Sequence, residues 1–193
     1  AWSDLGARLR THQHDGDRDP QHGCDVAGVA DDGTDPYLDP LTDRAAGLAE
    51  ATEQITIFTT THIPTVHPIV AANMAVTNDH IAAGRYGLNL VMGWFTPEMQ
   101  MFNPKQLEHD ERYVYGGEWL EFVERLWTAE GEFDFDGKYF QSSHCESEPK
   151  PFQNPRPVLI NAGNSPSGTD FSAKYCDINF ASLDIEQMGD YTA

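Results

Sequence analysis

The chain has 193 residues, enough for one domain with a sizeable core. It carries 31 acidic against 12 basic side chains, only four of them Lys, for a formal net charge of −19. That charge argues against nucleic acid or an anionic membrane surface as a partner. The scarcity of Lys favours a salt-rich (halophilic) cytoplasm, where surplus carboxylates keep the surface hydrated, over an ordinary acidic enzyme.

No apolar run approaches the roughly 18 residues of a membrane span, and no signal-peptide pattern opens the chain. Cys24, Cys145 and Cys176 are widely spaced and odd in number, so they offer neither a disulfide framework nor a Cys-x-x-Cys metal site. A reduced, cytoplasmic protein is the simplest reading.

Residues 1–40 are rich in Asp, Gly and His and show no periodicity. His12, His14, His22 and Cys24 are of metal-ligating type, but a solvated or disordered segment is favoured over a metal cluster. The folded domain is expected over 41–193. Leu41, Ala45, Leu48, Ala49 and Thr52 fall at helical spacing, and ITIFTTT at 55–61 is a β-branched strand. Pro68 is placed to open a helix whose buried stripe is Val70, Met74, Thr77 and Ile81, with Gly84 as its C-terminal cap.

YGLNLVMG is the next strand, followed by a long helix carrying Tyr113, Gly116, Leu120, Val123 and Trp127. Asp136-Gly137, flanked by Phe133, Phe135, Tyr139 and Phe140, marks an inserted hairpin. Prolines 149, 151, 155 and 157 mark an extended connector. VLINAG is a third strand, Ser165-Pro166 opens a helix, and DINFAS is a fourth strand. Four short apolar strands, each too buried for an edge, alternating with helices imply parallel β/α units. The pattern leaves a barrel and a doubly wound sheet both open.

The most informative stretch is GRYGLNLVMGWFTPE at 84–98. Alternation puts Gly87, Asn89, Val91 and Gly93 on one face and Leu88, Leu90 and Met92 on the other. An amide among Gly and Val is expensive to bury unless a neighbouring main chain or a ligand hydrogen-bonds it.

This stretch resembles the fourth barrel strand of the bacterial luciferase-like flavin monooxygenases. HDERY at 109–113, GEFDFDGKYF at 131–140, KPFQNPRPVLINAGNSPSG at 150–168 and FSAKYCDINF at 171–180 follow in the family's order. The resemblance implies an α/β fold, a partial TIM (β/α)8 barrel comprising about strands three to six. Four strands cannot close an eight-stranded barrel, so a fragment is expected. It implies FMN as cofactor, with reduced FMN and O2 oxygenating a small organic substrate of sulfonate, sulfone or pyrimidine type. It also implies a separate NAD(P)H-dependent flavin reductase as partner, and a homo-oligomer is one way to cover open strand edges. The alternatives are a deazaflavin-dependent oxidoreductase of the same fold, or an inactive barrel fragment that binds no flavin.

By the same resemblance Asn89, Glu98, Arg112, Tyr113 and Ser165 contact the flavin. Each has a plainer reading from its residue type. Ser165 suits an ordinary N-cap, although the same helix start offers main-chain N–H groups and a dipole to a phosphate. Arg112 could pair with Glu108 or Asp110 while Tyr113 packs in the core, and Glu98 could be a solvated loop acid. His62 and His67 flank a strand end, where they could line a pocket or act as acid or base; His109 fits a helix start. Met92 stands where the family often has Thr. No catalytic residue and no metal site is assigned.

Overall fold

The computed structural model describes residues 41–102 and 106–180. The 1–40 segment with its His and Cys residues, and the boundary expected at 40, lie outside them. In chain order come α1 (Leu41–Ala51), β1 (Ile57–His62), a 3-10 turn (Ile63–Thr65), α2 (Pro68–Ile81), β2 (Tyr86–Val91), α3 (Thr96–Phe102) and α4 (His109–Thr128). Then follow β3 (Phe133–Asp136), β4 (Gln141–Cys145), β5 (Val158–Asn161), α5 (Pro166–Tyr175) and β6 (Ile178–Asn179).

β1, β2, β5 and β6 form one sheet in that order, and each neighbouring pair is parallel. Thr60 lies opposite Asn89, Leu88 opposite Leu159, and Ile160 opposite Ile178. β3 and β4 are an antiparallel hairpin inserted between α4 and β5. Parallel neighbours need crossovers, and right-handed crossovers that always step the same way leave their helices on one face.

The side chains agree. Thr59, Thr61, Tyr86 and Leu88 share a crevice with Ala71, Met74 and Ala75 of α2. Met92 lies against Gly116 of α4, where an added Cβ would come within 2.6 Å of its Sδ. Asn161 bonds Ser172 of α5. Such a sheet is an arc of a singly wound barrel, because a doubly wound sheet carries helices on both faces.

The alternation read along β2 holds: Tyr86, Leu88, Leu90 and Met92 are buried on the helix side. Met92 therefore packs in the helix layer against α4, and it also lines the space between the ends of β2 and β5, α4 and α5. Behind the sheet, α4 supplies the largest core side chains. Trp119 Nε1 donates to the Val66 carbonyl (2.8 Å) and Trp127 Nε1 to that of Ala72 (3.2 Å), so two apolar bodies also satisfy their polar atoms. Phe122 stacks on Phe135 of the hairpin at 4.3 Å. Glu118 accepts from the main-chain N–H groups of Lys138, Tyr139 and Phe140, and Gly137 N–H closes the loop onto the Phe140 carbonyl.

Three expectations need correction. The buried stripe of α2 is Ala71, Ala72, Ala75, Val76 and Asp79; Val70 and Met74 are exposed. Small residues let the helix approach the sheet closely, and Asp79 is held by Gln153 through its main-chain N–H (2.9 Å) and Nε2 (2.7 Å). Two left-handed residues end α2: Ala83 (φ 48°) takes the first position after the cap, and Gly84 (φ 84°) follows it within the same turn. Ala83 N–H bonds the His80 carbonyl and Gly84 N–H that of Asp79, the paired bonds of a Schellman turn. Finally, among the described strands β1 and β6 are edges of the sheet, and Ile178 of β6 is exposed.

Candidate functional site

At the carboxyl ends of β2 and β5 a cavity of about 330 Å³ opens between the strand ends, α4 and the start of α5. Arg112, Tyr113 and Ser165 line it together, joined by His109, Asn161 and Trp94. The fold explains the convergence. β2 delivers Trp94 beyond its last residue, the first turn of α4 delivers His109, Arg112 and Tyr113, and the turn after β5 delivers Ser165.

Ser165 is the N-cap of α5: its Oγ accepts from Gly168 N–H at 3.1 Å, and Pro166 occupies the first helical position. The plain reading of Ser165 is therefore correct as far as it goes. Accepting that bond leaves the hydroxyl hydrogen available to donate. The Tyr113 hydroxyl reaches the same place. An added Cβ at Gly163 or Gly168 would stand 2.9 or 2.8 Å from it, so these two glycines make room for the phenol.

Arg112 forms no ion pair with Glu108 or Asp110. Its Nη1 donates to the carbonyl of Gly93 at 2.9 Å, and Gln106 Nε2 donates to the same carbonyl at 2.6 Å. Gly93, two residues past the end of β2, holds a left-handed φ of 70°, a conformation that favours glycine. Arg112 Nε is buried with no protein partner. An unmatched buried donor is costly unless a ligand completes it.

Asp110 lies at the same helix start, accepting from Ser167 Oγ at 2.6 Å and standing 2.7 Å from His109 Nδ1. The Ser167 hydrogen bond, then that of His109, holds its carboxyl below the usual range. His109 is the first residue of α4 and its ring meets Tyr113 edge-on, so it lines the cavity as well as starting the helix.

Asn89 and Glu98 are not among the residues lining this cavity. Asn89 faces away from the helices, donating from Nδ2 to Thr60 Oγ1 at 3.2 Å, while its buried Oδ1 has no protein partner. The donor's partner is thus a neighbouring side chain, and the acceptor is left for something else. Glu98 is in the first turn of α3 and is no solvated loop acid. Its carboxylate is 17% exposed and lies 3.3 Å from Nδ1 of His62, the last residue of β1. That ring nitrogen is buried and makes no hydrogen bond.

His67 has a structural place. Its Nδ1 accepts from Ile69 N–H as the N-cap of α2, and its ring packs edge-on against Phe122 and Phe140. A second, apolar cleft of about 170 Å³ adjoins Arg112 and is lined by Met99, Phe102, Tyr115 and Tyr139.

The arrangement suits FMN on its donor set. One cation and two hydroxyls line the cavity at a helix N-terminus, and the buried Arg112 Nε and Asn89 Oδ1 have no protein partner. Among the described residues no group of three or more His, Cys, Asp or Glu side chains could hold a metal ion. No described helix is long and apolar enough to cross a membrane.

The profile of the family described as luciferase-like monooxygenase matches residues 20–192. The chain belongs to that family. Among its relatives, the pyrimidine monooxygenase RutA of Bradyrhizobium sp. strain BTAi1 is 39% identical over 137 residues, which are 70% of this chain and 37% of the relative. The chain thus matches well under half the length of that enzyme. Of solved structures, long-chain alkane monooxygenase (LadA) superposes with a TM-score of 0.74 at 27% identity, covering 81% of this chain and 41% of that one. A riboflavin lyase (RcaE) holding modified FMN and riboflavin superposes with a TM-score of 0.73 at 25% identity, covering 86% and 43%. The parallel α/β arc is therefore that of the luciferase-like barrels.

Trp94, His109 and Asn161 were not singled out in the sequence as site residues. The Gly-Trp at the end of β2 and the His that opens HDERY were visible signals for the first two. Asn161 carried none, because an Asn ending a strand is ordinary.

Proposed function

We propose that the chain contributes the flavin site of an FMN-dependent monooxygenase that oxygenates a small organic substrate of the pyrimidine class. β1, β2, β5 and β6 are read as strands three to six of the eight. The observation that carries this reading is that Arg112, whose buried Nε has no protein partner, lines one cavity with Tyr113 and Ser165 at the α5 N-terminus. A guanidinium, two hydroxyls and a helix dipole together suit a phosphate. Asn89 Oδ1 would accept from the flavin ring, and Glu98, through its neighbour His62, would edge the same site. The pyrimidine class is favoured over sulfonates and sulfones by the pyrimidine monooxygenase relatives.

When bound, reduced FMN supplies the activation of O2. The chain's residues anchor the phosphate end (Arg112, Tyr113, Ser165), offer an acceptor on the strand face (Asn89) and wall the mouth with Trp94. A separate NAD(P)H-dependent flavin reductase would supply the reduced cofactor.

Titration of the purified chain with FMN in high salt, followed by flavin fluorescence, tests this. Saturable binding is expected, weakened about tenfold in Arg112→Ala and in Ser165→Ala, the loss for one charge-assisted or one neutral hydrogen bond group. A folded chain that binds no FMN would overturn the reading. The absorbance of any retained cofactor separates FMN from a deazaflavin, and a melting temperature raised by FMN excludes a chain that binds nothing.

A further inference from the structure

Asn161 is the last residue of β5 and is 3% exposed, yet each of its polar atoms is engaged. Nδ2 donates across the sheet to the Leu90 carbonyl of β2 at 2.5 Å. Oδ1 accepts from Gly163 N–H at 2.8 Å and from Ser172 Oγ on α5 at 3.0 Å. One amide therefore ties together the strand that ends in Gly-Trp, the turn that carries Ser165, and the helix whose N-terminus faces the cavity. The tie is close-fitting, since an added Cβ at Gly163 would stand 2.8 Å from Asn161 Oδ1, 2.9 Å from the Tyr113 hydroxyl and 3.0 Å from Gly168 Cα.

We infer that Asn161 is a positioning residue that sets the 162–165 turn, and that through this turn it determines the chain's preference for a phosphorylated flavin over riboflavin. The inference rests on the reading of the cavity as a flavin phosphate site. Its physical content is separate from that of the contacts themselves. Ser165 and Tyr113 can reach one anion together only if the turn holds the α5 N-terminus against α4. The Asn161 amide is the side chain that fixes the turn to both the sheet and α5. A site a fraction of an ångström too loose loses directional hydrogen bonds while keeping apolar contact. Losing Asn161 should therefore weaken FMN and leave riboflavin, which lacks the phosphate, nearly unchanged. A merely structural role would weaken both alike.

The test compares dissociation constants for FMN and riboflavin in the full chain and in Asn161→Leu, similar in volume but unable to make the three bonds, with thermal melts to verify folding. Wild type is expected to prefer FMN, and Asn161→Leu to lose about tenfold of that preference through FMN alone. Ser172→Ala, which removes one of the three bonds, should lose a smaller part in the same direction, and it decides the question should Asn161→Leu not fold. An unchanged FMN-to-riboflavin ratio in the folded variant overturns the inference while leaving the phosphate site standing. Wild type that binds riboflavin as tightly as FMN overturns the phosphate site itself, and the inference with it.

Discussion

Gly168 sits at the third position of α5, where its N–H is the one bonded by the Ser165 cap. In an exposed helix interior, Gly→Ala gains up to about 1 kcal/mol. Here an added Cβ would stand 2.9 Å from Cα and C of Gly163, which are backbone atoms and cannot rotate away. Overpacking of that kind costs about 1–3 kcal/mol, so it wins. Gly168→Ala is expected to lower the melting temperature, by about 2–4 °C per kcal/mol for a chain of this size, and to weaken FMN as α5 lifts from the turn. A Gly168→Ala chain as stable as wild type would mean that α5 and the turn are not packed this closely. Asn89 carries the complementary lesson at this scale. That a polar side chain stands among Gly and Val could be read from alternation, but that its Oδ1 lacks a partner required the Thr60 register across β1.

At the scale of elements, the connector into β5 shows how charge positions a strand. Arg156 is 18% exposed and bridges Glu124 of α4 at 2.8 Å and Asp177 at 2.6 Å, while Leu159 N–H donates to Asp177 at 2.8 Å. Burial pushes the Asp177 carboxyl up, but the Arg156 hydrogen bond, the Leu159 N–H and the Arg156 charge together hold it below the usual 3.8. A carboxyl lowered on folding contributes stability that is fully present above its unfolded value. That contribution is lost as pH falls through the lower folded value. Asp177→Asn should therefore melt below wild type at pH 7, with the gap closing as pH drops under about 4. A gap that persists unchanged at pH 2–3 would assign the loss to packing instead.

Elements were legible where a local signal was unambiguous. Pro68, Ser165-Pro166 and the β-branched run of β1 each marked their element correctly. The face of α2 was not legible, because two series one residue apart, 70/74/77/81 and 71/75/79, both have helical spacing and each mixes apolar with polar residues. Only the close approach of helix to sheet selects the alanines. Likewise the edge positions of β1 and β6 follow from strand order, which an apolar run does not encode.

For the whole molecule, chain-order topology made the barrel arc recognisable from motif order, and the cavity residues Arg112, Tyr113 and Ser165 came with it. What binds them together, the Asn161 bond to Leu90 and the Tyr113 hydroxyl set against Gly163 and Gly168, is contact at long sequence separation that no local pattern announces. The charge acts at the same scale and is the property most exposed to test. A net charge of −19 on 193 residues places many carboxylates within a Debye length of one another in dilute buffer, about 30 Å at 0.01 M. Their repulsion falls on the folded state more than on the expanded chain. Screening shortens that length to about 3 Å at 1 M salt, so most of the gain should come at the first few hundred millimolar. Salting-out of apolar surface instead grows steadily with concentration. The melting temperature in KCl is thus expected to rise steeply below about 0.5 M and flatten above it. The rise should shrink near pH 4.5, where the chain approaches its isoelectric point. A melting temperature that is flat from dilute buffer to molar KCl at pH 7 would show that the surplus carboxylates are spaced widely enough not to interact, and would remove the case for a salt-adapted surface.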